Sequence, residues 1–144
     1  MLFRSLYAYT LIQAGRSVCP TGWHVPTALD WQTLFSFVGG IYYASNTSEI
    51  GAKISEVGFI GSGGYWYEQG MGFYPTNTTG FTARPGGYAD YSGMWYSSGI
   101  GFNASFWVND TTVPQMVRID GYMGNTSISE GSNMSASSIR CIKD

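Results

Sequence analysis

Three small sets of residues in this chain carry side chains capable of chemistry. Cys19 and Cys141 are the only cysteines; they either close one disulfide or stand as two buried thiols of a cytosolic chain. With no Cys-x-x-Cys and no Cys/His cluster, the donor set of a zinc site is missing. His24 is the sole histidine. As a base it needs Cys19 or a serine beside it, yet its neighbours Trp23, Val25 and Pro26 have the character of packing residues. It is therefore read as a structural histidine bonded to backbone, outside any triad. Glu49, Glu56 and Glu68 are the acids of the central loop region, and nothing in their spacing singles out the facing carboxylate pair that glycoside hydrolysis requires. The expectation is a chain that is not an enzyme and holds no metal or cofactor.

Composition turns attention from catalysis to contact. Charged residues make up 11% of the 144 positions and aromatics 17%, against about a quarter charged in an ordinary soluble domain. A net charge of −2 with scattered Lys and Arg lacks the basic face that neutralises phosphates, which argues against nucleic acid. Rings with a polar tip give stiff contact area at little entropic cost, as on extracellular binding surfaces. The plainer reading, that aromatics fill the core of a loop-rich domain, accounts for most of them. No apolar run approaches the ~20 residues of a membrane-spanning helix. Met1-Leu2-Phe3-Arg4-Ser5 lacks the features of a signal peptide, and Leu-Phe-Arg-Ser matches the translation of a common sequencing-adapter end. Residues 1–5 are read as a non-native or disordered start to a fragment, and 6–144 as one domain.

The elements that must position these residues are unevenly legible. Leu6 to Gln13 is apolar and aromatic, a short helix or strand. Pro26-Thr27 announces a helix: Thr27 is a capping hydroxyl and Asp30 sits where a capping box places its acid. Trp31, Leu34, Phe35 and Val38 then follow at i, i+3, i+4 and i+7, and Gly39-Gly40 ends the helix. Glu49 to Val57 offers a second, shorter helix. Gly58 to Gly72 reads as a long glycine-rich loop carrying Trp66 and its neighbouring tyrosines, the kind of loop that is functional or mobile. Phe81 to Pro85 opens a strand-like half. Within it Met94-Trp95-Tyr96, Ser105 to Val108, Gln115 to Ile119 and Ser138 to Ile142 are strand candidates, and Asp120 to Ser137 a solvated hairpin or loop. A main helix followed by short antiparallel strands makes an α+β domain.

Four segments together resemble one family. Cys19-Pro20-Thr21-Gly22-Trp23-His24-Val25-Pro26-Thr27 with Asp30-Trp31, Leu34 and Gly39-Gly40 is the first, and Gly51-Ala52-Lys53-Ile54 the second. Gly80-Phe81-Thr82-Ala83-Arg84-Pro85-Gly86-Gly87-Tyr88 is the third, and Ile139-Arg140-Cys141-Ile142-Lys143-Asp144 the last. In this order and spacing they are similar to the Fibrobacter succinogenes major paralogous domain of bacterial surface proteins. The resemblance implies a C-type-lectin-like fold, in which the chain ends pair and a long loop region carries the binding surface. It also implies a secreted or surface-anchored module of no established activity. This chain departs from the pattern before Leu6, which implies a missing first strand. It departs again where an aromatic-Ser-Ser run is replaced by Phe106-Trp107-Val108-Asn109-Asp110.

In that setting Cys19 and Cys141 are read as one disulfide. The cysteine-pair chemistry of formylglycine-generating enzymes, which share the fold, does not carry over, because Cys19 stands elsewhere. Trp107-Val108-Asn109-Asp110 approximates the Trp-Asn-Asp calcium motif of sugar-binding C-type lectins, but Val108 intervenes and the few acids are scattered, so calcium is not expected. The Asn-x-Ser/Thr tripeptides at Asn46, Asn77, Asn103, Asn109, Asn125 and Asn133 mark Ser/Thr-rich loops of a bacterial chain rather than glycosylation sites. The expected function is an extracellular or cell-surface binding or adhesion module for a glycan or protein, with contacts from Trp66, Tyr67, Trp95, Trp107, Asn109 and Arg118. The alternative is a structural unit of a bacterial cell-envelope assembly without a small ligand.

Overall fold

The computed structural model describes residues 5–16, 18–39, 48–70, 72–89, 99–110 and 112–144. The ambiguous segment at the start resolves into both of its readings: a two-residue strand β1 (Tyr7–Ala8) runs directly into a five-residue helix α1 (Tyr9–Gln13). After the Cys19 turn comes β2 (Trp23–His24) and then the main helix α2 (Ala28–Val38). Its capping box forms as the sequence indicates, with the Asp30 amide donating to Thr27 Oγ1 and the Thr27 amide donating to Asp30 Oδ2. At the other end Gly39 takes a left-handed φ of 94°, which a side chain would strain.

A short helix α3 (Ser48–Ile54) follows, and its sequence shows what the Gly-x-Lys element does. A Cβ on Gly51 would stand 2.0 Å from the carbonyl oxygen of Gly124, so only glycine permits that approach. Lys53 reaches back and donates to the carbonyl of Val38 at 3.1 Å, placing a cation on the negative end of α2. Ile54 is fully buried in the core.

Three strands form the main sheet, in the order β3 (Asn103–Val108), β4 (Gln115–Asp120), β5 (Thr126–Glu130), all antiparallel. The hairpin foreseen between Asp120 and Ser137 thus contributes a full third strand. The last strand does not run unbroken from Ser138 to Ile142. It is divided into β6 (Ala136–Ser137), which pairs with β1, and β7 (Ile142–Lys143), which pairs with β2. Between them Ser138 bridges to Phe106 on β3. Phe81 to Pro85 is likewise no strand; Ala83 makes only an isolated bridge to Ser55. The candidate strand Met94-Trp95-Tyr96 lies outside the described residues. The result is an α+β domain, with three helices and short antiparallel strands among the described residues.

One core lies between the helices and the sheet: Trp31, Phe35 and Val38 from α2, Ile50 and Ile54 from α3, and Phe106, Val108, Val117 and Ile119 from the strands. Period-two alternation sends Trp107 to the other face of β3, where Tyr9 and Met116 form a second, smaller cluster with it. Nearly all of β3 is therefore covered on both faces.

Candidate functional site

The chain ends meet at a clasp. Cys19 and Cys141 form a disulfide with Cα atoms 5.8 Å apart and a sequence separation of 122. Beside it β2 pairs with β7, setting Trp23 opposite Lys143 and His24 opposite Ile142. The partners of His24 are carboxylates rather than backbone: Nδ1 lies 2.6 Å from Asp144 Oδ1 and Nε2 lies 3.3 Å from Asp30 Oδ2. The Asp144 hydrogen bond, reinforced by Asp30, raises the His24 pKa above the ordinary histidine value against a smaller opposing effect of desolvation. The Thr27 hydroxyl and amide hold Asp30 below the usual carboxylate range, with His24 adding to the effect. Asp144 was hidden from the sequence because it is 120 residues away, whereas Asp30 lies on the neighbouring first turn of α2.

Two clefts open on either side of Trp23, whose ring is 44% exposed. One, of about 380 Å³, is walled by Ile12, Arg16, Trp23, His24, Asn109 and Asp110. Here Asn109 is exposed, its amide N–H donating to the carbonyl of Pro26. Asp110 next to it is held below the usual carboxylate range by the hydroxyl and amide of Thr112. The other cleft, of about 320 Å³, has Trp31, Leu34 and Phe81 within it and Asp30, Arg140 and Lys143 among its lining residues.

The expected contact residues fall into distinct environments. Tyr67 is 44% exposed and stacks on Phe102 with centroids 4.7 Å apart, its ring lying where a Cβ on Gly101 would stand. Tyr65 and Tyr74, on the same loop region, are 43% and 65% exposed. The Arg84 guanidinium lies over the Tyr65 ring, and Tyr74 meets Phe59 edge-on.

Trp66 and Trp107 are corrections, since both are 0% exposed and a ring without accessible surface has none to give a ligand. Trp66 packs against Phe73 in the main core, held beneath the loop by a bridge between its backbone and Phe59. Trp107 packs on Tyr9 and donates its indole N–H to the carbonyl of Tyr7 at 2.6 Å. Arg118 is half-buried and lays its guanidinium over the Tyr88 ring at 4.0 Å. Trp95 lies outside the described residues. Trp23 reads as a packing residue in the sequence, but on the short strand β2 it is exposed.

Among the described residues no three His, Cys, Asp or Glu side chains gather as a metal site would require. No helix there is long and apolar enough to cross a membrane. The model of the Fibrobacter succinogenes major domain matches residues 2–143. The chain belongs to this family. No curated protein and no solved structure matches it. In this member of the Fibrobacter succinogenes major domain family, the first and last motif segments build the clasp, while the Gly-x-Lys element joins α3 to the end of α2.

Proposed function

We propose that this domain is a non-enzymatic binding module of the cell surface or extracellular space, built on a C-type-lectin-like scaffold, that recognises a glycan or protein through loop aromatics. The observation that carries the reading is the trio Tyr65, Tyr67 and Tyr74. Each ring is substantially exposed, and each is braced by a second side chain: Arg84, Phe102 and Phe59 respectively. Rings held in place before contact lose little conformational freedom on binding, which favours affinity. Paired chain ends and the loop-rich described residues 55–70 and 72–89 support the scaffold assignment, and the disulfide supports an oxidising compartment.

A glycan array together with pulldown from bacterial envelope fractions tests the proposal, using the wild-type domain and a Tyr65→Ala/Tyr67→Ala/Tyr74→Ala variant. Capture of a glycan or envelope protein that the folded triple variant loses is the expected result. Self-association alone, unchanged in the variant, overturns it in favour of a structural unit of the envelope.

A further inference from the structure

The cleft of about 320 Å³ beside the disulfide is distinct in residues from the tyrosine surface, and its chemistry is more specific. Its interior is apolar: Trp31 and Leu34 come from α2, Phe81 from the third motif segment, Ile142 from β7, and Trp23 flanks it with an exposed ring. Trp31 is 2% exposed, and its indole N–H has no acceptor among the described residues, a buried donor of the kind that ordinarily finds a partner.

Charge around this apolar interior is asymmetric. Arg140 is exposed, with its guanidinium 4.7 Å from the centre of the Phe81 ring, and it forms no ion pair among the described residues. Lys143 is exposed and equally without an ion pair there. The opposing carboxylate, Asp30, is already engaged: its Oδ2 accepts from the amide and hydroxyl of Thr27 at 2.9 and 2.7 Å and faces His24 Nε2 at 3.3 Å. Among the described residues, two cations without an ion pair therefore share the cleft lining with one carboxylate that is already engaged. Arg140 is also the neighbour of the crosslinked Cys141, so its backbone is anchored. Every residue of the cleft that bears on this argument lies in a segment that carries the family resemblance.

We infer that this cleft binds a small organic carboxylate with an apolar body of about one ring, the ring entering between Trp23 and Phe81 and the carboxylate meeting Arg140 and Lys143. At about 320 Å³ the space lies at the lower end of the range of small-molecule sites, ~300–1,000 Å³. A planar guanidinium is the group best matched to a carboxylate, by two parallel hydrogen bonds. The same chemistry is offered by a free aryl-alkyl acid and by the last residue of a peptide ending in phenylalanine.

The test uses 3-phenylpropionate and acetyl-Gly-Phe, each against its primary amide, titrated into the nitrogen-15-labelled domain while the tryptophan indole N–H signals are followed. The expected result is a saturable shift of the Trp23 and Trp31 signals with one of the acids. Arg140→Gln and Lys143→Gln, checked for an otherwise native spectrum, each weaken that binding, by about ten-fold for Arg140 from loss of a charge-assisted hydrogen bond. Whichever acid binds more tightly identifies the source of the ligand. Equal binding of acid and amide, no shift of the Trp31 signal, or undiminished binding in both variants overturns the assignment. The readout is independent of the tyrosine surface, so either proposal can fail alone.

Discussion

His24 and Asp144 meet at 2.6 Å across 120 residues of chain, and Asp30 faces the other ring nitrogen at 3.3 Å. The imidazole thus bridges the start of α2 and the last strand. Because the folded state raises the His24 pKa, the folded protein holds that proton more tightly than the unfolded chain. The stabilising effect is complete below the unfolded value of about 6.5 and fades as pH rises through the higher folded value. Asp30 works in the opposite sense: its lowered pKa contributes stability above the ordinary carboxylate value of 3.8, and this is lost as pH falls through the lower folded value. The clasp is therefore firmest in mildly acid solution between these two titrations. Proton NMR titration of the single imidazole is expected to give a midpoint above 6.5 that drops in Asp144→Asn. A midpoint at or below the ordinary value, unmoved by that substitution, contradicts the bridge.

Reduction of the Cys19–Cys141 bond, or Cys19→Ser with Cys141→Ser, is expected to cost about 4–5 kcal/mol on the chain-entropy model for so long a loop. Urea unfolding with and without reductant measures it. Since β2 and β7 pair beside the disulfide, with the Asp144 amide donating to the Gly22 carbonyl at 3.0 Å, exchange of the Asp144 amide should also accelerate on reduction.

Gly51→Ala is expected to destabilise by about 2 kcal/mol, because the added carbon would sit 2.0 Å from the Gly124 carbonyl and backbone has to move. Thermal melts check this, with Ala52→Gly as a comparison that loses helix propensity without a clash. A Gly51→Ala melt no lower than that of Ala52→Gly would remove the close approach as the reason for glycine.

Trp107→Ala is expected to cost about 3–5 kcal/mol, the range for emptying a large buried aromatic site, and additionally strands the Tyr7 carbonyl. Tyr67→Ala exposes no comparable cavity, since 44% of that residue is already in solvent, and is expected to leave stability within about 1.5 kcal/mol, the stacking on Phe102. Denaturant unfolding of the two variants separates the core indole from the surface ring.

The contrast between these residues shows how far the sequence could be read. The helix α2 was legible because its signals are local: Thr27 and Asp30 are three apart, the apolar stripe has a fixed period, and Gly39 needs no distant partner. The disulfide and family were legible from the four ordered segments. Trp66 and Trp107 were not, because what buries them is remote. The approach of Gly121 encloses one, and Tyr9 and the Tyr7 carbonyl, a hundred residues earlier, enclose the other. In a loop or at a strand end, a tryptophan looks the same whether it faces water or a second cluster. The clefts were illegible for a related reason, since each draws its walls from separated segments.

The crosslink also has a mechanical consequence. A pull applied at positions 19 and 141 passes straight through two sulfur atoms, leaving the intervening polypeptide slack. Tension entering through the segments before residue 19 and after residue 141 would then bypass the polypeptide between them, and both helices α2 and α3, the main sheet and the tyrosine-bearing loop would keep their shape.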